Sequence, residues 1–172
     1  MEMNIRAATD ADRDAIWKIF QEVISAGETY PIEPDVPREQ ALAYWSKHNA
    51  HVCVAEKEGK IVGSYTLHQN QAAGGAHVAN AAFIVAHEAR GQGIGSAMGE
   101  HCFKEARRLG YRAIQFNFVV STNASAVKLW QDLGMKIVGT LPGAFRHPTR
   151  GYVDVYVMFQ SLFPANDVNK RE

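Results

Sequence analysis

Two sets of residues in this sequence have types and spacings that could do chemistry. The first is the run Arg90-Gly91-Gln92-Gly93-Ile94-Gly95-Ser96, in which every second residue from Gly91 to Gly95 is glycine. Glycines let successive backbone N–H groups turn toward one point, and a helix start adds partial positive charge there. The fitting guest is a phosphate or pyrophosphate, and Arg90 adds a planar cation suited to its oxygens. The second set is a pair of asparagines, Asn80 within His77-Val78-Ala79-Asn80-Ala81-Ala82-Phe83 and Asn117 within Gln115-Phe116-Asn117-Phe118. Both sit inside apolar stretches that read as strands, where asparagine is depleted and a buried amide needs partners. Two such amides on neighbouring strands can hold a water that takes an amine proton, or orient a substrate. They can equally tie together a place where the strands splay.

These residues need elements to position them. The apolar run Ala79–Val85 before the glycine turn reads as a buried strand, and Ile94–Leu109 after it as an amphipathic helix closed by Gly110. Upstream, Met3–Ala8 reads as a strand. Thr9-Asp10-Ala11-Asp12 offers N-cap chemistry to a helix carrying Ile16, Trp17, Ile19, Phe20, Val23 and Ile24. A loop with three prolines runs from Glu28 to Pro37, followed by a helix from Arg38 to Lys47. His51–Glu56 and Ile61–Gln69 form a hairpin around Lys57-Glu58-Gly59-Lys60. Downstream come a strand at Tyr111–Val120, a helix capped by Ser121-Thr122-Asn123, a strand at Met135–Leu141, a loop at Pro142–Gly151 and a last strand at Tyr152–Gln160. The order β-α-α-β-β-β-α-β-α-β-β predicts one mixed α/β layer structure, a meander followed by βαβ units.

Composition bounds the rest. The chain has 172 residues and a formal net charge of zero, which suits one compact domain over residues 1–163 with a frayed polar tail at 164–172. Zero net charge offers no bulk attraction to nucleic acid or to an anionic membrane. No apolar run is long enough to span a bilayer. Cys53 and Cys102 lie in apolar patterns and read as buried reduced thiols, which fits a cytoplasmic location. No His/Cys/Asp/Glu cluster has metal-ligand spacing, so no metal is expected.

Arg90-Gly91-Gln92-Gly93-Ile94-Gly95 resembles the Arg/Gln-x-x-Gly-x-Gly/Ala signature of the GCN5-related N-acetyltransferase (GNAT) superfamily. Asn123-Ala124-Ser125-Ala126-Val127-Lys128-Leu129-Trp130-Gln131-Asp132-Leu133-Gly134-Met135 is similar to that superfamily's second motif, an Asn-led helix ending in Leu-Gly-Phe/Met. A dinucleotide turn fits worse, because G-x-G-x-x-G counted from Gly91 requires glycine where Ser96 stands. The resemblance implies the GNAT fold, a central, mostly antiparallel mixed sheet of seven strands flanked by four helices. It implies acetyl-CoA as co-substrate, its pyrophosphate on Arg90, Gly91, Gln92, Gly93, Ile94, Gly95 and Ser96. It also implies pantetheine beside Phe83, Ile84 and Val85, and Asn123 helping to hold the cofactor.

The acceptor end departs from the commonest family pattern. Trp130 stands where many members carry a tyrosine that protonates the leaving sulfur, and no carboxylate occupies the strand before the glycine turn. Asn80 and Asn117, with Gly27-Glu28-Thr29-Tyr30-Pro31, resemble the acetyltransferases of proline analogues such as azetidine-2-carboxylate. In that group the paired asparagines are implicated in substrate handling and catalysis. The Thr-Tyr element is shared with the phosphinothricin and methionine-sulfoximine acetyltransferases. Both point to a small amine, an amino or imino acid or its analogue. Glu28, Thr29 and Tyr30 are expected to wall its pocket, and Arg146 or His147 to meet its carboxylate. His68 and His77 read as packing residues. Two alternatives stay open: a non-catalytic acyl-CoA-binding module, and an N-acetyltransferase of a protein or peptide. A last strand exposed at Tyr152 and Tyr156 is compatible with a homodimer.

Overall fold

A computed structural model describes residues 3–47 and 49–163; the polar tail lies outside the described residues. Seven strands form one sheet: β1 (Met3–Ala7), β2 (His51–Lys57), β3 (Lys60–Gln69), β4 (Val78–Val85), β5 (Ala113–Val120), β6 (Lys136–His147) and β7 (Gly151–Ser161). Their spatial order is β1-β2-β3-β4-β5-β7-β6. Every neighbouring pair is antiparallel except β4 and β5. Four helices, α1 (Arg13–Ser25), α2 (Arg38–Trp45), α3 (Ile94–Arg108) and α4 (Ala124–Asp132), complete the predicted order.

Adjacent residues of β3 show which helices cover which face. The buried Ser64 accepts a hydrogen bond from Trp45 Nε1 of α2 at 3.0 Å, while Tyr65 Oη lies 2.8 Å from His101 Nδ1 of α3. Side chains alternate along a strand, so α2 and α3 lie on opposite faces of the sheet. Ile16, Ile19, Phe20, Val23 and Ile24 line the buried stripe of α1, and Ile94, Met98, Cys102 and Ala106 that of α3. Each large apolar side chain removed from water in this way contributes about 1.5–3 kcal/mol. Cys53 and Cys102 are buried free thiols in these layers. No helix is long and apolar enough to cross a membrane among the described residues.

Two features of the sheet matter for function. The parallel pairing of β4 with β5 holds only at Val78–Ala113 and Ala79–Ile114, and beyond it the two strands diverge. The β5–β7 register then shifts between Phe116 and Val119, placing Asn117 and Phe118 in a bulge. The asparagine pair therefore sits where the sheet opens.

The C-terminal hairpin corrects the sequence reading. Pro142–Gly151 was expected as a loop, yet β6 continues to His147 and only the turn at 148–150 is irregular. A register shift between Leu141 and Phe145 absorbs Pro142 and Gly143, whose N–H bonds to Asp154 Oδ1 at 2.9 Å. An edge strand tolerates proline because its missing N–H faces no partner. The last strand is not the edge either. β7 inserts beside β5 and leaves β6 outermost, with Ile137, Val138 and Leu141 exposed and Tyr152 of β7 76 % exposed.

Candidate active site

The glycine turn and the diverging strands meet at two contiguous cavities. The larger, about 570 Å³, is lined by Arg90, Gly91, Gly93, Ile94, Gly95 and Ser96 at the start of α3, with Thr122, Asn123 and Ser125 at the start of α4. The smaller, about 300 Å³, is lined by Asn80 and its β4 neighbours, by Asn117 and Phe118 of β5, and by Tyr30, Tyr44 and Lys47. Thr29, Phe83, Ala126 and Trp130 line both.

The turn is built for close approach. Gly91 and Gly93 have φ of 74° and 78°, and Gly93 is the N-cap residue of α3, so only glycine enters this conformation without strain. Gly95 serves packing as well, because a Cβ there would lie 3.2 Å from Leu129 Cδ2 of α4. At Gly99 a Cβ would lie 2.5 Å from Leu133 Cδ1. These small residues let α4 come close enough for Asn123 and Trp130 to reach the cavity. Asn123 caps its own helix, its Oδ1 accepting the Ala126 N–H at 3.4 Å.

Trp130 is 7 % exposed, its ring centroid 4.6 Å from that of Phe83 and 4.9 Å from that of Phe116. This aromatic knot separates the two cavities. Tyr30 closes the gap beside it: its hydroxyl donates to Phe83 O at 2.7 Å and accepts the Phe83 N–H at 3.0 Å. Burial, the larger cause, pushes the phenol well above its ordinary pKa against the opposing effect of the Phe83 bond, so it stays neutral. Phe83 points its main-chain groups into the gap. With a two-residue period, Ala81 and Val85 point theirs the same way.

Ionisable groups gather on the wall of the larger cavity next to Thr29, which both cavities share. Glu28 and Thr29 come from the loop after α1, and His147, Thr149 and Arg150 from the β6–β7 turn. His147 Nδ1 accepts the Thr149 N–H at 3.1 Å, which leaves the proton of the neutral ring on Nε2. That nitrogen lies 3.9 Å from Glu28 Oε1. In this arrangement His147 is a donor, and Glu28 is the carboxylate that lines the larger cavity.

The structure brings most of the sequence-predicted residues together. Glu28, Thr29, Phe83, Val85, Arg90, Gly91, Gly93, Ile94, Gly95, Ser96 and Asn123 line the larger cavity, and Tyr30, Asn80 and Asn117 the smaller. Three lie elsewhere. Ile84 is 1 % exposed on the opposite side of β4 and lines neither. Gln92 turns away, accepting from Lys57 Nζ and donating to Glu88 O, both at 2.9 Å. Arg146 is exposed and lines neither cavity, because strand alternation turns it outward and His147 inward. Read as a strand rather than a loop, this stretch would have favoured His147. Asn117 is exposed instead of buried; its Oδ1 accepts from Gln115 at 2.8 Å and its Nδ2 donates to Asn70 at 2.7 Å, which uses one of its two N–H groups. His77 is exposed at the mouth of β4 instead of packed. Lys47, Ser125 and Arg150 carried no site signal in the sequence, and Thr122 was marked only as part of a helix cap. No group of three or more His, Cys, Asp or Glu side chains among the described residues is placed to hold a metal ion.

A helix N-terminal glycine cradle beside a sheet that splits after one short parallel pairing defines an acyl-CoA-type transferase fold. The comparisons agree. The profile of the Acetyltransferase (GNAT) family matches residues 14–135, and the chain belongs to that family of enzymes. It is 28 % identical to the N-acetyltransferase aca1 of Schizosaccharomyces pombe, over 83 % of this chain and 76 % of that protein. A GCN5-related N-acetyltransferase from Kribbella flavida superposes with a TM-score of 0.89 and 46 % identity, covering 92 % of this chain and 97 % of that one. A GNAT superfamily phosphinothricin acetyltransferase from Sinorhizobium meliloti, solved in complex with AcCoA, shares the fold. Its TM-score is 0.84 at 23 % identity, over 100 % of this chain and 95 % of that one.

Proposed function

We propose that this enzyme transfers the acetyl group of acetyl-CoA to the free amine of a small amino or imino acid or an analogue, proline-like or phosphinothricin-like. The observation that carries the reading is the meeting of the two cavities at Thr29, Phe83, Ala126 and Trp130. One cavity suits a pyrophosphate carrier and the other a small polar molecule, and the joint between them is where a thioester and an amine would meet. The relatedness to an N-acetyltransferase of fission yeast supports the same chemistry.

Residue roles follow from the geometry. The backbone of the 90–96 turn and the start of α3 would receive the pyrophosphate, with Arg90 and Arg150 as flanking cations. Val85 and Ala81 would offer main-chain groups along β4 to the pantetheine amides and to the thioester carbonyl, where negative charge develops. Asn80 and Asn117 would orient the acceptor. Glu28 would take the amine proton, directly or through a water, with His147 Nε2 3.9 Å from its carboxylate. The amine nitrogen then bonds to the carbonyl carbon, the carbon–sulfur bond breaks, and the thiolate takes its proton from solvent, since Trp130 offers none. Holding the two reactants in line supplies a large share of the acceleration.

Continuous assay of CoA thiol release across a panel of amino acids, imino acids and peptides tests this. Turnover of small amino or imino acids is expected, and Glu28→Gln should lower kcat by about 100-fold or more while acetyl-CoA affinity holds. Acetyl-CoA binding without turnover on any amine would overturn the reading in favour of a binding module. Preference for peptides would favour a protein acetyltransferase. The reading extends to a cytoplasmic homodimer. Two buried free thiols support the location, and the exposed apolar edge at Ile137, Val138 and Leu141 supports the dimer. Sedimentation as a monomer would remove that part.

A further inference from the structure

One cation in the acceptor cavity is held in a way the glycine cradle does not explain. Lys47, just beyond α2, lines the smaller cavity with Asn80 and Asn117. Its Nζ lies 3.4 Å from His68 Nε2 and 4.5 Å from the centroid of the Tyr44 ring. The other ring nitrogen of His68, Nδ1, lies 3.0 Å from the main-chain oxygen of Asn80. A carbonyl oxygen only accepts, so Nδ1 carries the proton and donates to Asn80. Nε2 of the neutral ring is then a bare lone pair, and it faces the ammonium as an acceptor. Burial first, and the Lys47 charge second, pull the His68 pKa below its ordinary value and so hold the ring neutral.

The result is an ammonium gripped by an imidazole and an aromatic face, both uncharged. Among the described residues no carboxylate lies within ion-pair distance of Lys47, so its ammonium is not committed to an anion of the protein. An ammonium has three donors, and the imidazole takes one. The others remain for a group in the cavity, and a cation fixed there without an anion is suited to receive one. The link also has a direction: Asn80 fixes His68, and His68 fixes Lys47, so the cation keeps register with the strand that borders the reaction.

We propose that Lys47 binds the carboxylate of the acceptor and that His68 is its positioning residue, which makes the acceptor an α-amino or imino acid rather than a simple amine. This rests on the acetyltransferase reading above. It assigns to Lys47 the task expected of Arg146 or His147, of which the fold turns Arg146 outward and seats His147 on the larger cavity. A cavity of about 300 Å³ admits only a small member of that class.

The test uses matched pairs: amino or imino acids and their primary carboxamides, which keep the amine and lose the charge. The wild-type enzyme is expected to prefer the acid by about tenfold or more in kcat/KM, the scale of a charge-assisted contact. Lys47→Met should erase that preference mainly through KM, with kcat at saturation within about twofold, and Lys47→Arg should restore part of it. His68→Phe should raise KM for the acids severalfold and leave the carboxamides unchanged, a split that a purely structural role would not produce. Retention of the acid preference by Lys47→Met would overturn the assignment, as would a wild-type enzyme indifferent to the carboxylate. Thermal shifts of wild type and Lys47→Met with the same pairs read binding without turnover. If no amine is acetylated, the acetyltransferase reading fails. The carboxylate site still stands or falls on whether acids, and not carboxamides, stabilise the wild type alone.

Discussion

Replacing Tyr30 with phenylalanine isolates one hydroxyl with two jobs. That hydroxyl satisfies both main-chain groups of Phe83 in the gap that opens between β4 and β5, at 2.7 and 3.0 Å. In an unbroken sheet a neighbouring strand would supply those partners; here β5 has already diverged past Ala79 and Ile114. Tyr30→Phe keeps the ring and its packing but leaves one N–H and one C=O without it. Each buried group left unpaired costs about 1–3 kcal/mol. Because the gap adjoins the cavities, water can replace part of the loss, so the low end applies, a total of about 2 kcal/mol. With a urea m-value of about 2 kcal/mol/M, the unfolding midpoint should fall by about 1 M at unchanged slope. Tyr152→Phe, at a tyrosine 76 % exposed, is the control and should leave the midpoint in place. Equilibrium urea unfolding followed by tryptophan fluorescence measures both. If Tyr30→Phe unfolds within about 0.5 kcal/mol of wild type, the hydroxyl is not replacing the missing strand and the account of the gap is wrong.

Gly93→Val should abolish measurable acetyl-CoA binding by calorimetry, since a β-branched residue cannot hold φ near 78° at the N-cap of α3; normal binding would mean the cradle lies elsewhere. Asn117→Ala should lower kcat about tenfold or more with little change in acetyl-CoA KM, because it breaks the Gln115–Asn117–Asn70 chain beside the acceptor; unchanged kcat in a folded variant would make the amide structural. Asp12 accepts from both terminal nitrogens of Arg6 and from Thr9, and these contacts, Arg6 foremost, hold its carboxyl at about 2. A depressed folded-state pKa stabilises above the unfolded value and loses that effect as pH falls, so Asp12→Asn should cost about 1–2 kcal/mol near neutrality and little near pH 2. An equal cost at both pH values would exclude the ion pair as the cause.

Much of the fold was legible because local chemistry and long-range packing agree. The 3.6-residue stripe of Ile16, Ile19, Phe20, Val23 and Ile24 is the stripe that α1 buries, and the expected glycine turn is there, with Gly91 and Gly93 at positive φ. The capping asparagine at 123 starts α4 where expected. The reading failed where a tertiary partner overrode a local signal. Pro142 and Gly143 look like a loop, yet an edge strand carries them through a bulge, and that one change exchanges Arg146 for His147 at the cavity. His68 is half-buried, in keeping with a packing residue, but nothing in its strand names its partners, Lys47 and the Asn80 main chain, which are distant in the chain.

The sequence by itself determined the element order, the glycine turn at the start of α3 and the family, since each depends on short-range spacing: glycines in one turn, a cap and its helix, apolar residues on one face. It also marked Asn80 and Asn117, because a polar amide in an apolar strand is visible without knowing its neighbours. Only the tertiary structure decided where the sheet opens, that Tyr30 fills the opening, that Glu28 and His147 share one rim, and that Lys47 lines the smaller cavity. Those outcomes depend on strand register and on which loop tips meet. Register is set by the summed packing of a whole sheet, and no single stretch of chain encodes it.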